Sequence, residues 1–179
     1  MAVRTNAASD TVTRSANLPS ATSFTFCGWS RITSDVGAAL QIPFWLGDGS
    51  ANGAAWCWDG TDNTGYLLYF SSGSSKYGAA FSSRPAVGSW FFWYVRCSGT
   101  SSGNLQGGWR SLTTAGWDSQ VSSQIDAYTP TSVLLMTQFS SVYTDGRVAA
   151  VKGWDRVLTD DELLLESQYY RAIQRTSLR

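Results

Sequence analysis

Glu162 and Glu166 are the only two glutamates in the chain. A pair of carboxylates facing one cleft is what acid–base cleavage of a glycosidic bond requires. On a strand, such a pair would have to occupy alternate positions. These two stand four residues apart, within the run Thr159-Asp160-Asp161-Glu162-Leu163 and its continuation. Thr159 with Glu162 three residues later forms a capping box, and Asp160 and Asp161 sit where a helix dipole favours negative charge. The two glutamates therefore share a helix face, where capping and ion pairing are their expected work. The chain has no histidine, which removes His-ligated metals, Ser–His triads and Cys–His pairs. No Asp-x-Asp strand motif occurs either. The expectation is a chain that is not an enzyme.

Metal chemistry has one foothold. Asp59-Gly60-Thr61-Asp62-Asn63-Thr64-Gly65 is a turn rich in oxygen ligands, the donor type that Ca²⁺ takes. Asp59, Asp62 and Asn63 are the candidate ligands. The same residues are also ordinary hairpin chemistry, and the spacing is not that of an EF-hand. No cofactor is expected, with Ca²⁺ the one ion the sequence leaves room for. Asp48-Gly49 and Asp145-Gly146 are turns of the same kind with fewer oxygens. The three cysteines, Cys27, Cys57 and Cys97, are odd in number and lack CxxC spacing. Buried free thiols are the favoured reading, with one disulfide and one free thiol as the alternative.

Aromatic residues offer binding chemistry. The chain holds 9 Trp, 8 Tyr and 8 Phe, more tryptophan than one core normally uses. Trp45, Trp56 and Trp58 lie around the Gly-rich stretch from Gly47 to Gly53, and Trp109 and Trp117 flank a second Gly- and Thr-rich stretch. These five are the candidate contact surface for a ligand or partner. Stacked indoles suit sugar rings, and Trp beside Arg, Gly and Ser suits a protein partner equally. Core packing competes with that reading for any single ring. Changing Trp58 and Trp109 to Ala should leave folding intact if they are surface rings.

The elements that must position these residues are strands. Apolar runs recur about every ten residues between Gly, Ser, Asn and Asp clusters, as in a sandwich or barrel. Strands are expected at Ala2–Asn6, Thr11–Arg14, Phe24–Ile32, Ala39–Leu46, Ala54–Trp58, Tyr66–Phe70, Tyr77–Phe81, Trp90–Arg96, Leu105–Leu112, Val133–Thr137 and Arg147–Trp154. One helix is expected from Asp160 to about Gln174. In Trp90–Arg96 both faces are apolar, so one must enter the core and the other be covered or form an interface. Its apolar core, Trp90 to Val95, is too short to span a bilayer. The 179 residues suit one domain, 1–179, with no linker or repeat. Formal net charge is +0, from 13 basic and 13 acidic residues, which gives no electrostatic case for nucleic acid or an anionic membrane. Met1–Asn6 has no apolar stretch of a signal peptide, so manufacture in the cytoplasm is expected.

The C-terminal segment Gly146 to Leu163, with Gly146, Val148, Val151, Trp154, Arg156, Leu158, Thr159, Glu162 and Leu163 at spaced positions, resembles the last strand and terminal helix of laminin-G-like domains. These belong to the concanavalin-A-like jelly-roll superfamily. Phe24–Ile32 and Trp90–Arg96 resemble two further strands of that family. The resemblance implies an antiparallel two-sheet β-sandwich with one short C-terminal helix, the front strands and the last strand sharing the sheet beside it. Glucanases of this superfamily carry paired strand glutamates, which this chain lacks. Calcium at a loop rim is common in laminin-G-like domains, which adds weight to Asp59 and Asp62.

Fold does not give function. The leading expectation is a non-catalytic structural or interaction module of a larger particle, most concretely a phage or viral capsid decoration or tail protein, located in the virion. Its partners would be capsid or tail proteins and further copies of itself. The alternative is a lectin-like module that binds glycans, with or without calcium, for host attachment. A glycan hydrolase or lyase stands third.

Overall fold

The computed structural model describes residues 2–5, 12–15, 17–33, 40–48, 52–59, 64–136 and 145–177. Within the described residues, twelve strands and one helix follow in chain order. The strands are β1 (Ala2–Thr5), β2 (Val12–Arg14), β3 (Phe24–Ile32), β4 (Leu40–Gly47), β5 (Gly53–Asp59), β6 (Thr64–Ser71), β7 (Ser74–Ala80), β8 (Trp90–Cys97), β9 (Leu105–Ser111), β10 (Ser119–Ser123), β11 (Ser132–Leu135) and β12 (Gly146–Trp154). The helix α1 spans Asp160–Ser177. Two six-stranded sheets form, with orders β1-β12-β3-β8-β9-β10 and β2-β11-β4-β5-β6-β7. All pairings are antiparallel. The molecule is the jelly-roll β-sandwich that the sequence implied.

The period-2 alternation of each strand sorts its side chains into layers. From β8, Phe91, Trp93, Val95 and Cys97 enter the core between the sheets, with Phe44, Leu46, Trp56, Trp58, Leu67 and Tyr69 from the facing sheet. The other face of β8, Phe92 and Tyr94, lies in a second apolar layer with Cys27, Trp29, Leu158 and Leu163. Helix α1 closes that layer, because Leu163 and Ser167 are one turn apart and both fully buried. A third layer, Ile42, Trp45, Ala55, Cys57, Leu68 and Phe70, lies on the outer side of the second sheet. Each layer holds one of the three cysteines, all free and buried.

The helix is anchored at several points. Thr159 N–H donates to Glu162 Oε2 at 2.8 Å, and Glu162 N–H donates to Thr159 Oγ1 at 3.3 Å, so the capping box forms. The buried Thr25 hydroxyl donates to the Arg156 carbonyl at 2.8 Å and accepts from Leu158 N–H at 2.9 Å. It pins the turn between β12 and α1 to the sheet. Buried Arg110 reaches from β9 to donate to Ser167 Oγ at 3.1 Å and to the Thr114 carbonyl. In β12 a bulge shifts the register between Ala149 and Lys152, with Ala150 at φ 50°. The extra residue lets Val151 pack on the central core while Lys152 faces the helix, 2.6 Å from Glu166.

Two details depart from the expectations. Strand β1 joins the helix-side sheet beside β12, but β2 crosses to the other sheet. Strand β10 was not foreseen. Its sequence Ser-Gln-Val-Ser-Ser has a single apolar residue, because it is an edge strand. No helix of the described residues is long and apolar enough to cross a membrane.

Candidate ligand-binding site

Four of the five tryptophans expected at a contact surface are buried instead. Trp45 is 1% exposed, Trp56 and Trp58 0%, and Trp109 5%. Trp56 lies 5.3 Å from Phe81 and 5.4 Å from Phe91, ring centre to ring centre. Arg84 covers Trp58, its guanidinium 4.2 Å from the ring centre. Trp109 donates its indole N–H to the Ser83 carbonyl at 3.0 Å. Trp45 packs 5.4 Å from Phe70. The glycines around it explain why it reads as a loop residue. A Cβ on Gly47 would fall 2.0 Å from Trp45 Nε1, and one on Gly53 would fall 2.6 Å from its Cζ2. These glycines make room for a buried indole rather than exposing one. Of the five, only Trp117 is partly exposed.

Asp59 ends β5 half-buried, while its proposed companions Asp62 and Asn63 lie outside the described residues. Among the described residues no group of three His, Cys, Asp or Glu is placed to hold a metal ion. Asp48 closes its own turn, accepting from Asn52 N–H at 3.1 Å and from Asn52 Nδ2 at 2.6 Å. The two glutamates are engaged in ion pairs. Glu162 accepts from both Arg156 terminal nitrogens, at 3.1 and 2.7 Å. That pairing and the cap hold its carboxyl down to about 2. Glu166 pairs with Lys152 at 2.6 Å.

A different cluster has the geometry of a binding site. On the helix side of the first sheet, three strands present two rows. Tyr94, Gly108 and Gln120 are register partners across β8, β9 and β10, and so are Arg96, Gln106 and Ser122. With Val121 and Asp160, the first residue of α1, the side chains of these rows line a depression of about 330 Å³. Gly108 is the gap that opens it. A Cβ there would sit 2.6 Å from Tyr94 Cε1 and 3.0 Å from Gln120 Cγ. Its absence lets Gln120 Nε2 donate to the Tyr94 hydroxyl at 2.8 Å. Trp117 supports Tyr94 from behind, edge-on with ring centres 4.8 Å apart. Burial, opposed by the Arg96 charge and the Gln120 hydrogen bond, pushes the Tyr94 phenol up to about 12. It is a neutral hydroxyl throughout the physiological range.

Arg96 orders the second row. Its Nε donates to Gln106 Oε1 at 2.9 Å, Nη1 to the Leu158 carbonyl at 2.7 Å, and Nη2 to Asp160 Oδ1 at 2.8 Å. Gln106 Nε2 in turn donates to the Gly103 carbonyl at 3.2 Å. Side chains tied this way lose little freedom when a ligand arrives. The Arg96 side chain is 14% exposed and the Asp160 side chain 50%, so the carboxylate is the more available of the two. Sequence reasoning missed the shelf because its members come from three strands and a helix start. The alternation of Gln120 and Ser122 around Val121 was the available signal.

A second hollow, about 430 Å³, opens at the end of β12 between Asn17, Leu18, Pro19, Phe26, Gly153, Trp154 and Asp155. Asn17 and Asp155 are its exposed polar groups. It lacks the interlocked side-chain hydrogen bonds of the shelf.

No family model and no curated protein sequence matches the chain. Solved structures do match in shape. A heptameric pentraxin from Limulus polyphemus, described as SAP-like, aligns with TM-score 0.56 at 12% identity, over 86% of this chain and 73% of that one. A sialidase CBM40 from Ruminococcus gnavus, solved with α2,3-sialyllactose, aligns with TM-score 0.56 at 15% identity, over 80% and 82%. CG-16, a homodimeric agglutinin from chicken liver, aligns with TM-score 0.52 at 8% identity, over 80% and 99%. At these identities the likeness is one of fold, the jelly-roll sandwich.

Proposed function

We propose that this chain is a non-catalytic glycan-recognition module that binds through the shelf of Tyr94, Arg96, Gln106, Gln120, Ser122 and Asp160. The observation that carries the reading is that shelf itself. Planar polar side chains, fixed by one another across three strands, line an open depression. Sugar hydroxyls need paired donors and acceptors at fixed spacing. The pentraxin, the sialyllactose-bound module and the agglutinin lend support by shape. A glycan array followed by titration calorimetry tests the reading. Specific hits should be retained with chelator present, and Gln120→Ala should weaken them by roughly tenfold, the worth of one well-placed hydrogen bond. An array without hits would overturn it.

A second reading, self-association or docking in a larger assembly, rests on Leu165 and Tyr169. They stand one turn apart on α1 at 65% and 64% exposed. The heptameric and homodimeric states named for two of the similar structures favour self-association over capsid or tail partners. Light scattering decides: a multimer that Leu165→Glu reduces to a monomer would support it.

A further inference from the structure

The charge balance of the shelf has a consequence for which sugars fit. Of the residues that line it, Arg96 is the one cation and Asp160 the one anion. They are paired at 2.8 Å. The first turn of α1 adds Asp161 and Glu162, Arg156 is committed to Glu162, and Arg110, further along β9, is buried and bonded to Ser167 and the Thr114 carbonyl. Among the described lining residues, an incoming carboxylate would find no uncompensated positive charge, and would have to displace Asp160 or stand beside it. The hydrogen-bonding groups point to a different ligand. Among the described residues, Asp160 Oδ2, Gln120 Oε1 and Ser122 Oγ have no partner. Three of the five N–H bonds of Arg96 are used and two remain. The Tyr94 hydroxyl accepts from Gln120 and keeps its own proton to donate. Acceptors and donors thus both face one small depression, as adjacent hydroxyl groups require.

Resting on the glycan reading, we propose that the shelf selects neutral sugars presenting adjacent hydroxyls and discriminates against carboxylated ones, with Asp160 as the discriminating residue. Asp160 screens Arg96 and would repel an anionic sugar directly. The test is an array carrying neutral and sialylated versions of the same glycans, read for the native chain and for Asp160→Asn. Asn keeps the shape and a side-chain oxygen for Arg96 but removes the charge. The expected result is preference for the neutral versions by the native chain, and a shift of the acidic-to-neutral ratio by about tenfold toward acidic in Asp160→Asn. Native binding should also change little between low and moderate salt, since no net charge is neutralised. Preference of the native chain for sialylated glycans, or an unchanged ratio in Asp160→Asn, would overturn the inference and leave the glycan reading standing. No binding to either class would overturn both.

Discussion

Gly108 illustrates how a single residue can create a site by what it lacks. Tyr94 is about as buried as the core rings. Gly108→Ala would put a methyl group 2.6 Å from the Tyr94 ring. The expected outcome is loss of the Gln120–Tyr94 hydrogen bond and a fall in glycan affinity of tenfold or more, read by calorimetry, with a smaller change in melting temperature. Trp56→Ala is expected to behave oppositely. It empties a fully buried indole site between two phenylalanines, which costs about 3–5 kcal/mol. Urea denaturation should report the loss. The sequence-level account of the tryptophans failed at this scale. Trp45, Trp56, Trp58, Trp109 and Trp117 look alike as letters between glycines. What separates Trp117 from the rest is which side of a sheet it meets and what the neighbouring glycines accommodate. Neither is local information.

At the scale of elements, the fold was legible wherever aromatic and β-branched residues alternate. Phe24–Ile32 and Trp90–Arg96 were read nearly to the residue, and so was the start of the helix at its capping box. Strand β10 was missed because an edge strand needs only one face of modest polarity, and its pairing with β9 is dictated by the sheet rather than by propensity. The shelf went unseen with it, since Gln120 and Ser122 have no meaning until β10 exists. The helix cap yields its own prediction. The Glu162 carboxyl is depressed from 4.5 to about 2 by Arg156 and the cap. A depressed acid adds stability above its unfolded value and loses it as protonation proceeds. The contribution should therefore be intact above about pH 4.5 and fade as pH falls toward 2. Melting curves against pH should show this fall, and Glu162→Gln should remove that part of it.

Taken as a whole, the molecule is three apolar layers stacked across two sheets, with the middle one shared. Cys27 lies beneath the helix, Cys97 between the sheets, and Cys57 on the far side of the second sheet. Burial raises all three thiols, Cys27 and Cys57 well above the ordinary cysteine range, with the charge of Glu166 adding to Cys27 and that of Asp59 to Cys57. At neutral pH each is a protonated, inaccessible group that an alkylating reagent meets only when its own layer parts. The chain thus carries three built-in clocks, one per layer. Pulsed alkylation with peptide mass mapping would read them separately. The expected order has Cys27 labelled soonest, because a single helix covers it, and Cys97 last, at the rate of global unfolding. Three equal rates would mean that the sandwich and its helix open only together.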